Sequence, residues 1–203
     1  YLHLPFLIKL ALNCNVDKFF YISSSEVYGK TLSFPIDETS LTKPTTIYGA
    51  GKLAGEHYTQ AIYQTNGLDY LIIRLFNNYG PRAHFAGDSG ELIPRSIVKL
   101  ISGENPIIFG DGNFTRDFLY VQDAVRIISL IMQNNSIKNT TLNVGVGEEI
   151  TIKTIIKELI SHFPDKKLNI KYLDERPADV PRLWVNNSKM IQLIGNQSFI
   201  KLK

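Results

Sequence analysis

The sharpest chemical feature of this 203-residue sequence is a tyrosine and a lysine four residues apart, Tyr48-x-x-x-Lys52. They follow a Ser23-Ser24-Ser25-Glu26 run that closes a short apolar stretch. Residues four apart on a helix share one face, so the phenol and the ammonium can reach the same small molecule. A tyrosine titrates near ~10 and is a poor base at neutral pH. A neighbouring ammonium stabilises the phenolate, which would let Tyr48 remove a proton from an alcohol. A serine hydroxyl close by can hydrogen-bond the same oxygen. Taken alone the pair carries little, because many helices hold one by chance with the tyrosine half-buried and the lysine solvated.

Further segments stand in order along the chain: Tyr21–Gly29 (YISSSEVYG), Tyr48–Glu56 (YGAGKLAGE), Arg74–Arg82 (RLFNNYGPR), Phe109–Asp123 (FGDGNFTRDFLYVQD) and Arg176–Arg182 (RPADVPR). Together they resemble the extended short-chain dehydrogenase/reductase family, and within it the NAD-dependent epimerase/dehydratase group, from the first helix to Lys189. The resemblance implies an α/β fold: a Rossmann-like, doubly wound, mostly parallel sheet with a smaller C-terminal substrate-binding lobe. It implies residues 1–81 as the C-terminal part of the NAD-binding domain. Residues 82–203 would be mainly the lobe for a nucleotide-sugar, with some segments returning to the sheet.

Position by position, the resemblance implies Ser24 and Tyr48 as catalytic, with Lys52 also holding the nicotinamide ribose and Glu26 in the catalytic group. Ser23 and Phe76 would lie near the nicotinamide. Asn77 would contact the sugar diphosphate, and Arg116 with the Arg176–Asp179 pair would hold nucleotide phosphates and ribose. Two arginines converging on a diphosphate make physical sense, since their planar forks bind phosphate oxygens bidentately. Residue type alone leaves other readings open. Phe76 can be core, Arg116 can pair with Asp117 at the surface, and Asn77-Asn78 can be turn residues.

The family's Gly-rich dinucleotide loop is absent from the 203 residues. Gly145-Val146-Gly147 lies too late to serve. The chain therefore resembles a member lacking its first strands, about a third of the whole, and alone it is expected to bind NAD weakly. The ending also stops short of the usual last helices. The reaction turns on the residue after Ser24. A 4,6-dehydratase would carry Asp-Glu there, whereas this chain has Ser25-Glu26, so a UDP-glucose/UDP-galactose type 4-epimerase is favoured. UDP-glucuronate decarboxylase is the alternative, ahead of an NDP-sugar 4,6-dehydratase. A non-enzymatic nucleotide-sugar-binding module stands as a reading of another class. A homodimer through the Tyr48 helix is implied by the resemblance only.

The elements that must position these residues follow from periodicity and breakers. Helices are expected over 4–14, 46–65 (stopped by Asn66-Gly67), 92–102 and 123–133 with Asp123 as its cap, and from the Thr151 cap to His162. Strands are expected at Lys18–Ile22, Leu68–Leu75, Pro106–Phe109 and Thr141–Val144. Asn77–Pro81 is expected to turn, and 86–90 to loop. Helices alternating with short apolar runs argue for a parallel sheet.

Composition bounds the rest. A hydrophobic share of 44% with 20% charged residues is ordinary globular composition, so disorder and fibrous repeats are excluded. The net charge of +3 is scattered, which gives no nucleic-acid groove. No stretch has membrane-span length, and no signal-peptide pattern opens the chain. The single cysteine, Cys14, is expected to be a small buried apolar residue, in keeping with a reducing, cytoplasmic setting. No metal site is expected, and His57 and His84 are expected to be structural or solvent-facing.

Overall fold

The computed structural model describes residues 3–87, 90–177 and 179–202. Asp88 and Ser89 of the expected 86–90 loop therefore lie outside the described residues. Helix α1 (Leu4–Asn13) leads to strand β1 (Lys18–Ser24) and a single 3₁₀ turn (Ser25–Val27). After a long connection come helix α2 (Ile47–Asn66), strand β2 (Asp69–Leu75) and the short strand β3 (Asn77–Tyr79). Helix α3 (Leu92–Ile101) precedes β4 (Ile107–Phe109), β5 (Thr115–Arg116) and β6 (Phe118–Tyr120). The remainder is α4 (Val121–Gln133), β7 (Thr140–Val144), β8 (Ile150–Thr151), α5 (Ile152–Ser161), β9 (Lys171–Leu173), β10 (Arg182–Leu183) and α6 (Ser188–Ile194).

The principal sheet is parallel, in the order β1-β2-β7. Its register aligns Ser24 with Leu75 and Leu75 with Val144, so the three strands end on one level. Strand β2 shows why helices cover both faces. Leu71 and Ile73 point into a core with Ile127 and Ile131 of α4 and Met190 of α6. The alternate residues face α2: Tyr70 meets the Tyr63 ring edge-on and Arg74 meets Glu56. A strand buried on both faces is apolar throughout, which is how LDYLIIRL reads except at Asp69, where the strand begins and pairs with Lys138, and at Arg74. Smaller pieces surround the sheet's carboxyl end: β10-β5-β8, the parallel pairs β3-β6 and β4-β9, and α3 packed on α5.

Helix α2 starts and stops for local reasons. The Thr46 hydroxyl accepts from the Gly49 N–H at 2.9 Å, and Gly67 ends the helix in the left-handed region at φ 73°. Thr151 likewise caps α5 by accepting from the Thr154 N–H.

Three expectations are corrected. Asn77–Tyr79 is not a turn but a strand, because β6 offers it a parallel partner. Helix α4 begins at Val121, so Asp123 lies in its first turn and is not its cap; the carboxylate accepts from Arg126 at 2.9 Å and from the Ile200 N–H at 2.7 Å. Cys14 is exposed, because it falls one residue past the end of α1, off the buried stripe of Leu4, Ile8 and Ala11. No helix among the described residues is long and apolar enough to cross a membrane.

Candidate active site

At the carboxyl end of the parallel strands lies a cleft of about 910 Å³. Its walls include all ten site residues named from the sequence: Ser23, Ser24, Glu26, Tyr48, Lys52, Phe76, Asn77, Arg116, Arg176 and Asp179. Cleft formation at this end of an open α/β sheet follows from the fold, since helices diverge there to follow strands on either side.

One wall is built by β1, the 3₁₀ turn and α2. Ser24 ends β1, and its hydroxyl accepts from the Glu26 N–H at 3.2 Å, which fixes the oxygen at the mouth of the turn. Glu26 accepts from the Thr46 hydroxyl at 2.6 Å, so the α2 cap holds the carboxylate. Tyr48 sits in the first turn of α2 with about half its surface exposed (50%). Lys52 follows one turn later, with its Nζ 5.6 Å from the Tyr48 ring centroid and 2.8 Å from the Ile22 carbonyl oxygen, to which it donates. Partial burial holds the Lys52 ammonium below the ordinary lysine value. Close approach is built in at Gly49, where a Cβ would lie 2.6 Å from the Glu26 carbonyl oxygen.

The opposite wall carries the cations. The Arg116 guanidinium donates to its neighbour's Thr115 carbonyl at 2.7 Å; burial depresses its pKa, partly offset by the nearby Asp179 and Glu26 carboxylates. Arg176 lies over the Phe109 ring, 4.6 Å from the centroid, and pairs with Asp179 at 2.9 Å. Asp117 does not pair with Arg116 at the surface. It is fully buried and accepts from the N–H groups of Val146 (2.9 Å), Gly147 (2.8 Å) and Val185 (3.4 Å). Burial pushes its carboxyl up to about 6, against the pull of those three donors.

Two sequence-named residues sit differently from their simplest picture. The Ser23 hydroxyl donates to Glu56 and is thereby committed to the interior. Phe76 is fully buried and packs with Val27, Tyr28, Ile36, Leu183 and Val185, so its ring is core as well as cleft floor. Sequence reasoning missed the buried polar chain behind the wall. Arg74 grips Glu56 through Nε at 2.9 Å and Nη2 at 2.6 Å, while its Nη1 donates to the Tyr28 hydroxyl at 2.8 Å. Tyr28 in turn donates to Asn143 at 2.7 Å. A lone arginine in an apolar strand was the available signal. Among the described residues no cluster of His, Cys, Asp and Glu could hold a metal ion.

A phenol, an ammonium and a serine stand at one end of the cleft, with two arginines across it on a parallel α/β frame. The family follows from comparison: the profile of the NAD dependent epimerase/dehydratase family matches residues 6–145, and the chain belongs to that family. A putative UDP-glucose 4-epimerase of Methanocaldococcus jannaschii is 32% identical over 97% of this chain and 63% of its own length. The dTDP-D-glucose 4,6-dehydratase of Bos taurus is 29% identical over 91% of the chain and 52% of its own. Among solved structures, a UDP-N-acetylglucosamine 4-epimerase of Methanobrevibacter ruminantium superposes with a TM-score of 0.88 at 32% identity, covering 96% of this chain and 61% of that one. A UDP-glucuronic acid 4-epimerase of Bacillus cereus, solved with UDP-glucuronic acid and NAD, gives 0.85 at 30%, covering 96% and 60%. The chain thus spans between about half and three fifths of the length of these relatives. The fold is the Rossmann-like α/β arrangement of these epimerases.

Proposed function

We propose that the full-length protein is an NAD-dependent nucleotide-sugar 4-epimerase, of the UDP-glucose/UDP-galactose type, working through a transient 4-keto sugar. The observation that carries the reading is the placement of Ser24, Tyr48 and Lys52 against the Arg116–Arg176 wall across one cleft. Tyr48 Oη takes the proton from the sugar hydroxyl that is oxidised, and later returns it. Ser24 Oγ hydrogen-bonds the same sugar oxygen and orients it. The Lys52 ammonium beside the Tyr48 ring stabilises the phenolate while the proton is held there. Arg116 and Arg176 grip the diphosphate, Asn77 adds an amide contact, and Asp179 keeps the Arg176 fork turned into the cleft.

The residues present fit the nicotinamide end of NAD: the half-buried Lys52 ammonium and the rim tyrosine would hold the ribose, with Ser23 and Phe76 backing the ring. When bound, NAD supplies the hydride acceptor and donor that oxidation and re-reduction of one carbon require. The division into a cofactor part (1–81) and a mainly substrate part (82–203), pairing of two copies through α2, and a cytoplasmic setting belong to the same reading.

Ser25 favours epimerisation over dehydration. It is buried in the 3₁₀ turn where a dehydratase of the family would carry the aspartic acid that protonates a leaving hydroxyl. The deciding experiment incubates purified full-length protein and NAD+ with UDP-glucose, UDP-glucuronate and dTDP-glucose separately, followed by mass spectrometry and chromatography. A new isomer of unchanged mass is expected. Loss of carbon dioxide would identify a decarboxylase, and loss of water would overturn the weight placed on Ser25. Binding of a donor with no conversion would favour a binding module.

A further inference from the structure

The buried chain behind the catalytic wall joins five elements, and all its members but Asn143 lie close in sequence to a residue of the site. Ser23 precedes Ser24, Tyr28 follows Glu26 by two, Glu56 follows Lys52 by one helical turn, Arg74 precedes Phe76 by two, and Asn143 lies on β7 beside Arg74 in register. Glu56 and Arg74 are almost fully buried, at 1% and 6% exposure. A buried ion pair is seldom the most stabilising choice, since apolar residues of similar volume often do as well or better. In this one every nitrogen and oxygen of the pair makes a hydrogen bond, and the bonds are directional. Both Glu56 oxygens accept from Arg74, one of them also from Ser23, while the third guanidinium direction is spent on Tyr28. Such a fork fixes rotation as well as distance.

We propose that Glu56 and Arg74 are positioning residues, which set the rotation of α2 and the height of the β1 end so that Tyr48, Lys52 and Ser24 meet at one substrate oxygen. Lys52 itself reinforces the same seam through its bond to the Ile22 carbonyl. Tyr48, Lys52 and Glu56 repeat at every fourth residue of one helix, so the face that reaches the cleft at its start is pinned to the sheet two turns later. A rotation of α2 about its axis would move the phenol away from Ser24. Misplacement of about 1 Å in such a set can cost ~100-fold in rate.

The inference rests on the catalytic reading above, and wild-type turnover in the full-length protein is its control. Two variants then separate positioning from mere packing. The double variant Glu56→Met/Arg74→Met replaces the pair by apolar groups and keeps the interior filled. Tyr28→Phe keeps the ring in the core and removes only the hydroxyl linking Arg74 to Asn143; no atom of Tyr28 lines the cleft. Expected are near-wild-type melting of the double variant, a lowered melting point for Tyr28→Phe, which orphans a buried Arg74 N–H and the Asn143 oxygen, and nucleotide-sugar KM within about twofold for both. The kcat per folded molecule should fall by roughly 10- to 100-fold in the double variant and by roughly 5-fold in Tyr28→Phe. Undiminished kcat in either folded variant would overturn the proposal, as would losses of kcat that merely track the folded fraction. If the double variant does not fold, Tyr28→Phe decides. A wild-type protein that binds donors without converting any removes the catalytic reading and this inference with it.

Discussion

Lys52 donates to the main-chain carbonyl of Ile22 at 2.8 Å, which stitches the Tyr48-bearing face of α2 to the strand that delivers Ser24. The bond spends one of the ammonium's three hydrogens and leaves the charge beside the Tyr48 ring. Tyr48 lines the cleft with about half its surface exposed.

That arrangement predicts the behaviour of Tyr48→Phe. The ring and its contact with Lys52 remain, but the group that takes the proton in the proposed mechanism is gone. Turnover should drop by about 10²- to 10⁴-fold while nucleotide-sugar affinity, measured by calorimetry, stays within a few-fold. Retained turnover would show that the proton goes elsewhere.

Asp117 gives a prediction in pH. Its folded-state carboxyl is raised from 3.8 to about 6, with burial as the largest cause. The folded protein therefore holds this proton more tightly than the unfolded chain, and the sign follows from linkage. The contribution is fully present below about pH 4 and is lost as pH rises through about 6. Asp117→Asn cannot titrate, and it presents an amide N–H₂ to backbone donors where a second acceptor is needed. It should be less stable by roughly 1–3 kcal/mol, and the deficit relative to wild type should shrink as pH rises from 4 to 6. Chemical denaturation at several pH values measures both; a deficit that grows with pH would mean that the three N–H donors outweigh burial.

Much of this was legible in the sequence, and the reasons differ by residue. Tyr48 and Lys52 announce themselves by spacing, because a helix turns fourfold spacing into adjacency. Arg116 and Arg176 are far apart in the chain and come together on one wall of the cleft only through the fold, so the family resemblance is needed to pair them. Asn77–Tyr79 looked like a turn because a three-residue strand has no periodicity to detect; its partner Phe118–Tyr120 is remote. The Asp123 cap lies three residues too late, since nothing local marks Val121 as the start when Tyr120 offers no side-chain cap. Glu56 pairs with Arg74 across 18 residues, and a lone arginine in LDYLIIRL implies a buried partner without naming it. Cys14 was placed inside on residue type, whereas the helix ended one position too soon to bury it.

Gly49 tests how closely the start of α2 must approach the 3₁₀ turn. Helix propensity alone would make Gly49→Ala stabilising by about 1 kcal/mol. Here the new Cβ would stand 2.6 Å from the Glu26 main-chain oxygen and 3.0 Å from the Pro44 side chain. Backbone cannot yield as a flexible side chain can, so the variant should instead lose about 1–3 kcal/mol and carry Tyr48 outward with it. Lower stability together with reduced kcat is expected from melting and rate measurements. A stabilised, fully active variant would show that the contact is slack.

Arg176 separates binding from chemistry. Its guanidinium is stacked on Phe109 and paired with Asp179, a fixed fork on the wall opposite Ser24, Tyr48 and Lys52. If that fork grips a diphosphate present equally in substrate and transition state, its loss weakens both alike, so KM rises while kcat holds. A charged hydrogen bond is worth roughly 1.5–3 kcal/mol. Arg176→Ala should therefore raise KM for the nucleotide-sugar by about 10- to 100-fold, and Arg176→Lys should recover little of it because a point charge cannot replace the fork. A fall in kcat at unchanged KM would instead place Arg176 among the groups that act only in the transition state. An unchanged KM and kcat would remove it from the site.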